Sequence, residues 1–420
     1  MIESYQSAGR RRSRLDCLLS QMEIRKFNGQ RLKEALQFRG KRMTELANEL
    51  DISKQSLSLY ANGDNNPPYD NVVKISCALG FPFEYFMSED LCTTKTDNVF
   101  FRSQASAKKL DQNAQKSKLE YVAKVYEVLL NYVDFPNLNL PSVQFNAPSD
   151  PFEADSEEVM NQIEIIASAT RRHWGVGTGP IDNMQYMLES NGLIVTGFKD
   201  VDEKIDAFSQ RINIKDNGTV FIVALALGDK KSYVRLRFDM AHELGHVLLH
   251  DWDDSNDNLD KDEFNALEKQ ANMFASAFLL PRESFGKEVA PYANNVEFYR
   301  LLKKRWGVSM QAMMYRARQL GVITANQFQY MMRIVSAKGW KTREPGDVPG
   351  RLNSTIFQGA VDVLFDGNYI NAKELVKSFN DYGIYLPQKD LEDIMGLNPG
   401  TLDAGSQVLQ LIKPKTTFND

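Results

Sequence analysis

Arg237-Phe238-Asp239-Met240-Ala241-His242-Glu243-Leu244-Gly245-His246-Val247-Leu248-Leu249-His250 holds three of the four histidines of this 420-residue chain. Its centre reads H-E-x-x-H. On an α-helix, residues four apart lie one above the other on the same face. His242 and His246 therefore present two imidazoles to one point, where both can bind a tetrahedral zinc ion at about 2.0–2.1 Å. Glu243, beside the first of them, is placed to take a proton from zinc-bound water. Phe238, Met240 and Ala241 before the motif, and Val247, Leu248 and Leu249 after it, give such a helix an apolar face to bury. The pattern points to a zinc hydrolase, and to a peptidase as the expected class.

A third protein ligand must come from elsewhere. The metzincin continuation asks for a glycine and then a third histidine, but the chain has Leu249 and Trp252 at those positions. Glu268 is the expected ligand, with Glu263 as the alternative. Glu268 stands 22 residues after His246, in a stretch read as a helix over Asp262–Leu280 that stops at Pro281. Ala271, Phe274, Ala275 and Phe278 give that helix an apolar face with small residues, which lets it come close to the first. His250 is expected to support the site from behind or to cap the helix end. It is also one of three candidates, with Arg237 and Tyr233, for stabilising an oxyanion. His173, beside Arg171, Arg172 and Trp174, reads as structural. The acidic run Asp251–Glu263 has no glycine and no D-x-D-x-D-G register, so a solvated loop is expected there and not a calcium site.

The stretch Arg237–His246 with Leu249-His250 resembles the signature of the ImmA/IrrE family of zinc metallopeptidases. Glu268-x-x-Ala271-Asn272-x-Phe274-Ala275 followed by Leu279-Leu280-Pro281 is similar to that family's second motif, and Trp306-Gly307-Val308-Ser309 fits its later helical part. The resemblance implies His242, His246 and Glu268 as metal ligands and Glu243 as general base. It further implies cleavage of helix-turn-helix repressors in gene control.

Around this centre the chain reads as α+β. Glu157–Arg172 and Ile181–Asn191 are expected helices, and Gly192–Gly197 and Thr219–Leu227 expected strands. Val220–Leu225, apolar and β-branched, is a candidate to pair with an extended substrate if it lies at a sheet edge. Residues 293–335 read as helical, and Gly339–Pro349 is a Gly/Pro break.

Nearer the N-terminus, short helical patterns follow one another. Gly29–Arg39 carries Leu32, Leu36 and Phe38. A second helix with Leu46, Ala47 and Leu50 inward has Thr44 as its expected cap. After the turn Asp51-Ile52-Ser53, Ser53 is expected to cap a third helix through Tyr60. Asn62–Pro68 breaks the chain, and a fourth helix through Val72, Ile75 and Leu79 ends at Gly80. Helix, short turn, helix is the geometry of a DNA-binding helix-turn-helix. Lys54, Gln55, Ser56 and Ser58 on the third helix are the expected DNA contacts. Arg25, Lys26, Arg31, Lys33, Arg39, Lys41 and Arg42 form a local basic patch against a net charge of −5. Arg31-Leu32-Lys33, Thr44–Ala47, Ser53–Ser58, Gly63, Pro67 and Val72–Gly80 resemble the XRE/Cro-type helix-turn-helix family. Ala61 departs from it, where many members carry an acidic residue.

The expected fold class is multidomain: an all-α helix-turn-helix domain, an α+β zincin-like metallopeptidase domain and a helical C-terminal region. The expected divisions are a tail over 1–26, the helix-turn-helix over 27–90, a linker with a helix over 91–151, the peptidase over 152–345 and a helical appendage over 346–420. Three scattered cysteines, Cys17, Cys77 and Cys92, suit a reducing compartment, so a cytoplasmic protein is expected. No run of about 18 apolar residues suggests a membrane span, and the N-terminus lacks a signal-peptide pattern. The expected function is a DNA-binding regulator with a zinc-dependent endopeptidase, acting on a repressor or antitoxin-like protein. The alternatives are a regulator whose zinc domain senses or is structural, and a hydrolase whose helical N-terminus binds only proteins. Zinc, an operator in double-stranded DNA and a protein substrate are the expected partners; a homodimer is an open option.

Overall fold

In the computed structural model of the chain, the described residues are 26–101, 109–199, 206–214, 218–228, 231–252, 259–352 and 355–403. Residues 1–25, Arg25 among them, and residues 253–258 of the acidic run lie outside them. The chain divides into two compact units. One takes in the described residues of Met1–Cys92, Lys108–Lys118 and Asn380–Pro387; the other takes in those of Thr93–Ala107, Leu119–Phe379 and Gln388–Asp420.

Among its described residues the first unit holds four whole helices: α1 (Gly29–Phe38), α2 (Met43–Leu50), α3 (Lys54–Asn62) and α4 (Tyr69–Leu79). A 3-10 turn over Phe83–Met87 follows. Leu32, Leu46, Leu57, Ile75, Tyr85 and Phe86 are fully buried among them. The α2–α3 turn is Asp51, Ile52 and Ser53. Asp51 is left-handed at φ 54°, and the Ser53 hydroxyl accepts the Ser56 N–H at 3.0 Å. Gly29 allows α1 to meet α3, since a Cβ there would stand 2.3 Å from the Tyr60 carbonyl oxygen. Thr44 is not a cap: α2 starts at Met43, and the Glu45 carboxylate accepts the Arg42 N–H at 2.8 Å. A carboxylate in the first turn does the capping work that a hydroxyl was expected to do.

The second unit holds a sheet of order β1-β3-β4-β2, with β1 (Lys95–Phe101), β2 (Leu193–Phe198), β3 (Ala207–Ile214) and β4 (Gly218–Ala226). β3 runs antiparallel to both β1 and β4, and β2 runs parallel to β4. β4 is therefore an inner strand. Its Phe221–Leu225 backbone is paired on both sides and does not offer the edge that a substrate strand would need.

The helices of this unit are α5 (Lys109–Leu129, which begins in the first unit), α6 (Glu157–His173), α7 (Met184–Ser190), α8 (Tyr233–Leu249), α9 (Lys261–Leu279), α10 (Arg282–Val289), α11 (Val296–Trp306), α12 (Met310–Gln319) and α13 (Ala325–Ala337). α14 (Ile356–Asp366), α15 (Ala372–Asp381) and α16 (Gln388–Met395) follow. One sheet face, with Leu193, Val195, Ala207, Phe221, Val223 and Leu225, shares a core with Leu236, Met240 and Leu244 of α8. On the opposite face, the Thr196 hydroxyl donates to the Ile394 carbonyl of α16 at 2.9 Å.

α8 and α9 pack side by side, and Gly245 sets how closely. A Cβ there would lie 3.1 Å from Ala271 Cα and 3.2 Å from its carbonyl oxygen. Gly245→Val should force the helices apart, lowering stability by roughly 1–3 kcal/mol and weakening metal uptake together. Urea unfolding and zinc titration check this.

Glu189, on α7, is buried, and its Oε1 accepts the Ile356 N–H at the start of α14 at 3.1 Å. Burial pushes its carboxyl up from 4.5 to about 7, against the lowering effect of the Ile356 and Gln185 hydrogen bonds. Between those two values the folded state binds more protons than the unfolded chain, so stability falls as pH rises through that window. Glu189→Gln should leave stability near pH 4.5 little changed and raise it at pH 8 by on the order of 2–3 kcal/mol. Urea unfolding at the two pH values measures the difference.

Candidate metal centre

α8 and α9 bring three side chains to one point. His242 Nε2 and His246 Nε2 lie 3.0 Å apart. Glu268 Oε2 is 3.5 Å from the first, and Oε1 is 3.3 Å from the second. A tetrahedral centre with bonds of about 2.0–2.1 Å separates its ligand atoms by about 3.3–3.4 Å. The three observed spacings bracket that value. Both histidines are buried, and among the described residues these three form the one group of His, Cys, Asp and Glu donors spaced for a metal.

The surrounding hydrogen bonds fix which imidazole nitrogens face inward. The Asn272 amide donates to the Glu268 carbonyl at 2.8 Å, which turns Oδ1 towards His242 Nδ1, 3.2 Å away. His246 Nδ1 is 2.9 Å from His250 Nδ1, and His250 Nε2 is 3.1 Å from Gln270 Oε1. Burial first, and then the neighbouring His246, push His250 well below its ordinary value, although Gln270 and Glu268 oppose them. A neutral His250 donates from Nε2 to Gln270 and accepts the His246 Nδ1 proton. Both Nε2 atoms at the centre then carry lone pairs, aimed at each other and at a carboxylate. Burial raises the Glu268 carboxyl, but when His242 and His246 carry a proton on the facing nitrogens they outweigh burial and hold it at about 2. Its Oε1 is buried and accepts no hydrogen bond. Three electron-pair donors this close in a buried place are complementary to a cation, and the donor set fits zinc.

Glu243 is fully buried on α8, and its Oε2 accepts the Ser209 hydroxyl from β3 at 2.6 Å. The alternative ligand, Glu263, is exposed and caps α9, accepting the Asp260 N–H at 2.8 Å. None of the three oxyanion candidates is free for that work. His250 is bound behind His246. The Arg237 guanidinium is clasped by the Ile181 and Asp182 carbonyls. Tyr233 packs against Arg237 and lies nine residues from His242, about 13 Å along the helix axis. His173 is structural as expected, paired with Asn139 at 2.7 Å. A cavity of about 880 Å³ continues the α8–α9 groove beyond Asn272, lined by Phe238, Asp239, Met273, Tyr315 and Arg318.

On the helical unit, Lys54 and Gln55 are exposed at the start of α3, Ser56 and Ser58 are half-buried, and Leu57 is in the core. Ser56 also shares a 2.8 Å hydroxyl contact with Ser53. The basic patch is smaller than expected. Arg31 is buried and holds the Glu89 and Gly383 carbonyls and Glu34; Arg39 holds the Leu79 and Gly80 carbonyls; Lys41 pairs with Glu49. Lys26, Lys33 and Arg42 remain exposed.

Residues 198–318 match the peptidase family model described as an IrrE N-terminal-like domain, and residues 32–86 match a helix-turn-helix model. The chain carries both domains. No curated protein matches it. The IrrE-like match spans all of α8 and α9, so His242, Glu243, His246 and Glu268 fall inside it. Three positions around the centre had escaped the sequence: Ser209, Gln270 and the role of Asn272. β3 was not seen at all, and an amide on a helix carries no local sign that it orients a ligand.

His250→Ala should lower zinc affinity about 10–100-fold, as loss of a partner that orients a ligand does. Glu268→Gln should lower it further, and competition against a chelating dye ranks the two.

Proposed function

We propose that the protein is a DNA-binding regulator whose IrrE-like domain is a zinc-dependent endopeptidase acting on a repressor or antitoxin-like protein. The observation that supports it most is the trio of buried His242 and His246 with half-buried Glu268, both imidazoles aligned through Nδ1 and Glu243 next to the first. In this scheme the three side chains hold zinc, which when bound polarises a peptide carbonyl and acidifies water. Glu243 accepts the proton of the attacking water and returns it to the leaving amine. Burial keeps bulk water from competing for that carboxylate. The cavity beyond Asn272 is of a size that takes a substrate side chain.

The helix-turn-helix supplies the second half. Lys54 and Gln55 at the start of α3 face outward, as groups that read base edges and phosphates must. Exposed Lys26, Lys33 and Arg42 offer further phosphate contacts. The substrate proposed by resemblance, a protein itself bound to DNA, makes sense of the two modules in one chain. No helix among the described residues is long and apolar enough to cross a membrane.

Zinc-loaded protein and its Glu243→Gln variant, incubated with purified repressors encoded beside its gene, test the scheme. Cleavage is expected from the first and a loss of at least about 100-fold from the second. Equal cleavage by both removes the assigned role of Glu243. No cleavage, with DNA binding intact, instead makes the zinc domain a sensing or structural module. In the same preparations, Gln55→Ala should weaken binding to a selected duplex by about 1–3 kcal/mol at fixed salt, read by fluorescence anisotropy.

A further inference from the structure

Ser209 stands out on its sheet face. Its cross-strand partner is Val223, which in turn faces Val195. Along β3 its neighbours on the same face are Ala207 and the half-buried Arg211; Ala207, Leu225, Phe221 and Leu193 belong to the core shared with α8. Ser209 is fully buried among them. A hydroxyl left without a partner in such a place is costly. Its hydrogen bond runs to Glu243 Oε2 at 2.6 Å, within the range of about 2.5–2.7 Å for a hydroxyl on a carboxylate.

We propose that Ser209 is a positioning residue for Glu243: its hydroxyl holds one carboxylate oxygen and so fixes the rotation of the group that takes the proton of the attacking water. The inference rests on the zinc-hydrolase function proposed above. The last torsion of a glutamate is broad, so the backbone alone does not orient its carboxylate. Ser209 sits on a strand paired on both sides, to Phe100 of β1 and Val223 of β4, and a hydroxyl on such a strand is a rigid anchor. A purely structural role explains the pair less well. Two buried polar groups that served only packing would be replaced by apolar ones at little or no cost.

The test uses the full chain loaded with Co2+, and acetohydroxamate as the probe. That chelator needs a hydrogen-bond acceptor beside the metal, and its binding shifts the visible absorption of Co2+. Wild type, Ser209→Ala, Glu243→Gln and the double variant are titrated. Co2+ affinity should be alike in all four. Ser209→Ala should weaken acetohydroxamate about 10-fold, from the loss of one hydrogen bond to a charged group, and Glu243→Gln at least as much. The double variant should be no weaker than Glu243→Gln alone, because the hydroxyl acts only through that carboxylate. Ser209→Thr against Ser209→Val, alike in shape, gives the same comparison should the alanine variant fold poorly; only threonine should retain binding. Unchanged binding by Ser209→Ala, or effects of Ser209→Ala and Glu243→Gln that multiply, overturns the role of Ser209 alone. Failure of the wild type to take up Co2+ overturns the hydrolase assignment and this inference with it.

Discussion

The close approach of α8 and α9 at Gly245 and Ala271 is the constraint on which the centre depends. His242 and His246 share a helix, and their spacing alone makes them neighbours. Glu268 comes from a different helix, so its place is set by packing. With no side chain at Gly245, the two backbones meet at van der Waals distance. Asn272 and Gln270, on the same α9, then reach the outer nitrogens of His242 and His250. One glycine thus positions a ligand and both outer hydrogen-bond partners. The sheet supports the other side, since Leu236, Met240 and Leu244 of α8 bury against Val223, Leu225 and their neighbours.

The electrostatics follow from burial. A lone buried carboxylate raises its own pKa and becomes neutral. Glu268 does the opposite when the two imidazoles within 3.5 Å of it carry protons on their facing nitrogens. Those imidazoles are in turn oriented by neutral partners. A neutral His250 and an amide oxygen can accept N–H groups without adding charge to the site. Had a carboxylate stood in either place, the centre would carry another negative charge. The arrangement leaves one formal negative charge from Glu268 and two neutral donors, a weaker counter-charge for a divalent ion than a multi-carboxylate site offers, and closer to what zinc prefers.

Much of this was legible in the sequence because helix periodicity is local. A spacing of four between two histidines states their geometry outright, and the small-residue face of α9 predicted a close partner. Ser53 as a cap and Leu57 as a core residue followed from the same local rules. What failed was non-local. β1 is rich in Lys, Thr, Asp and Asn, and β3 mixes Ser, Gln, Arg and Asn with apolar residues, so neither has the β-branched run that betrayed β4. Strand order could not be inferred without them, so whether β4 lies at an edge stayed open until the sheet placed it inside. Arg31 and Arg39 misled for a related reason. A guanidinium that clasps carbonyls reads in sequence like one that waits for phosphate.

That distinction bears on how the helical unit uses charge. The chain is acidic overall, so attraction to DNA must come from a few local groups and not from net charge. Among the described residues 26–92, Arg31, Arg39 and Lys41 are engaged within the unit, and Lys26, Lys33, Arg42, Lys54 and Lys74 are exposed. A short list of phosphate contacts means shallow salt dependence and modest non-specific affinity. Specificity then rests more on the groups at the start of α3 than on electrostatic capture. A peptidase tethered to such a module meets a DNA-bound substrate at a concentration set by the tether, not by bulk solution. Under the function proposed above, selective cleavage does not require a tight peptide pocket, because co-location on DNA supplies part of the discrimination.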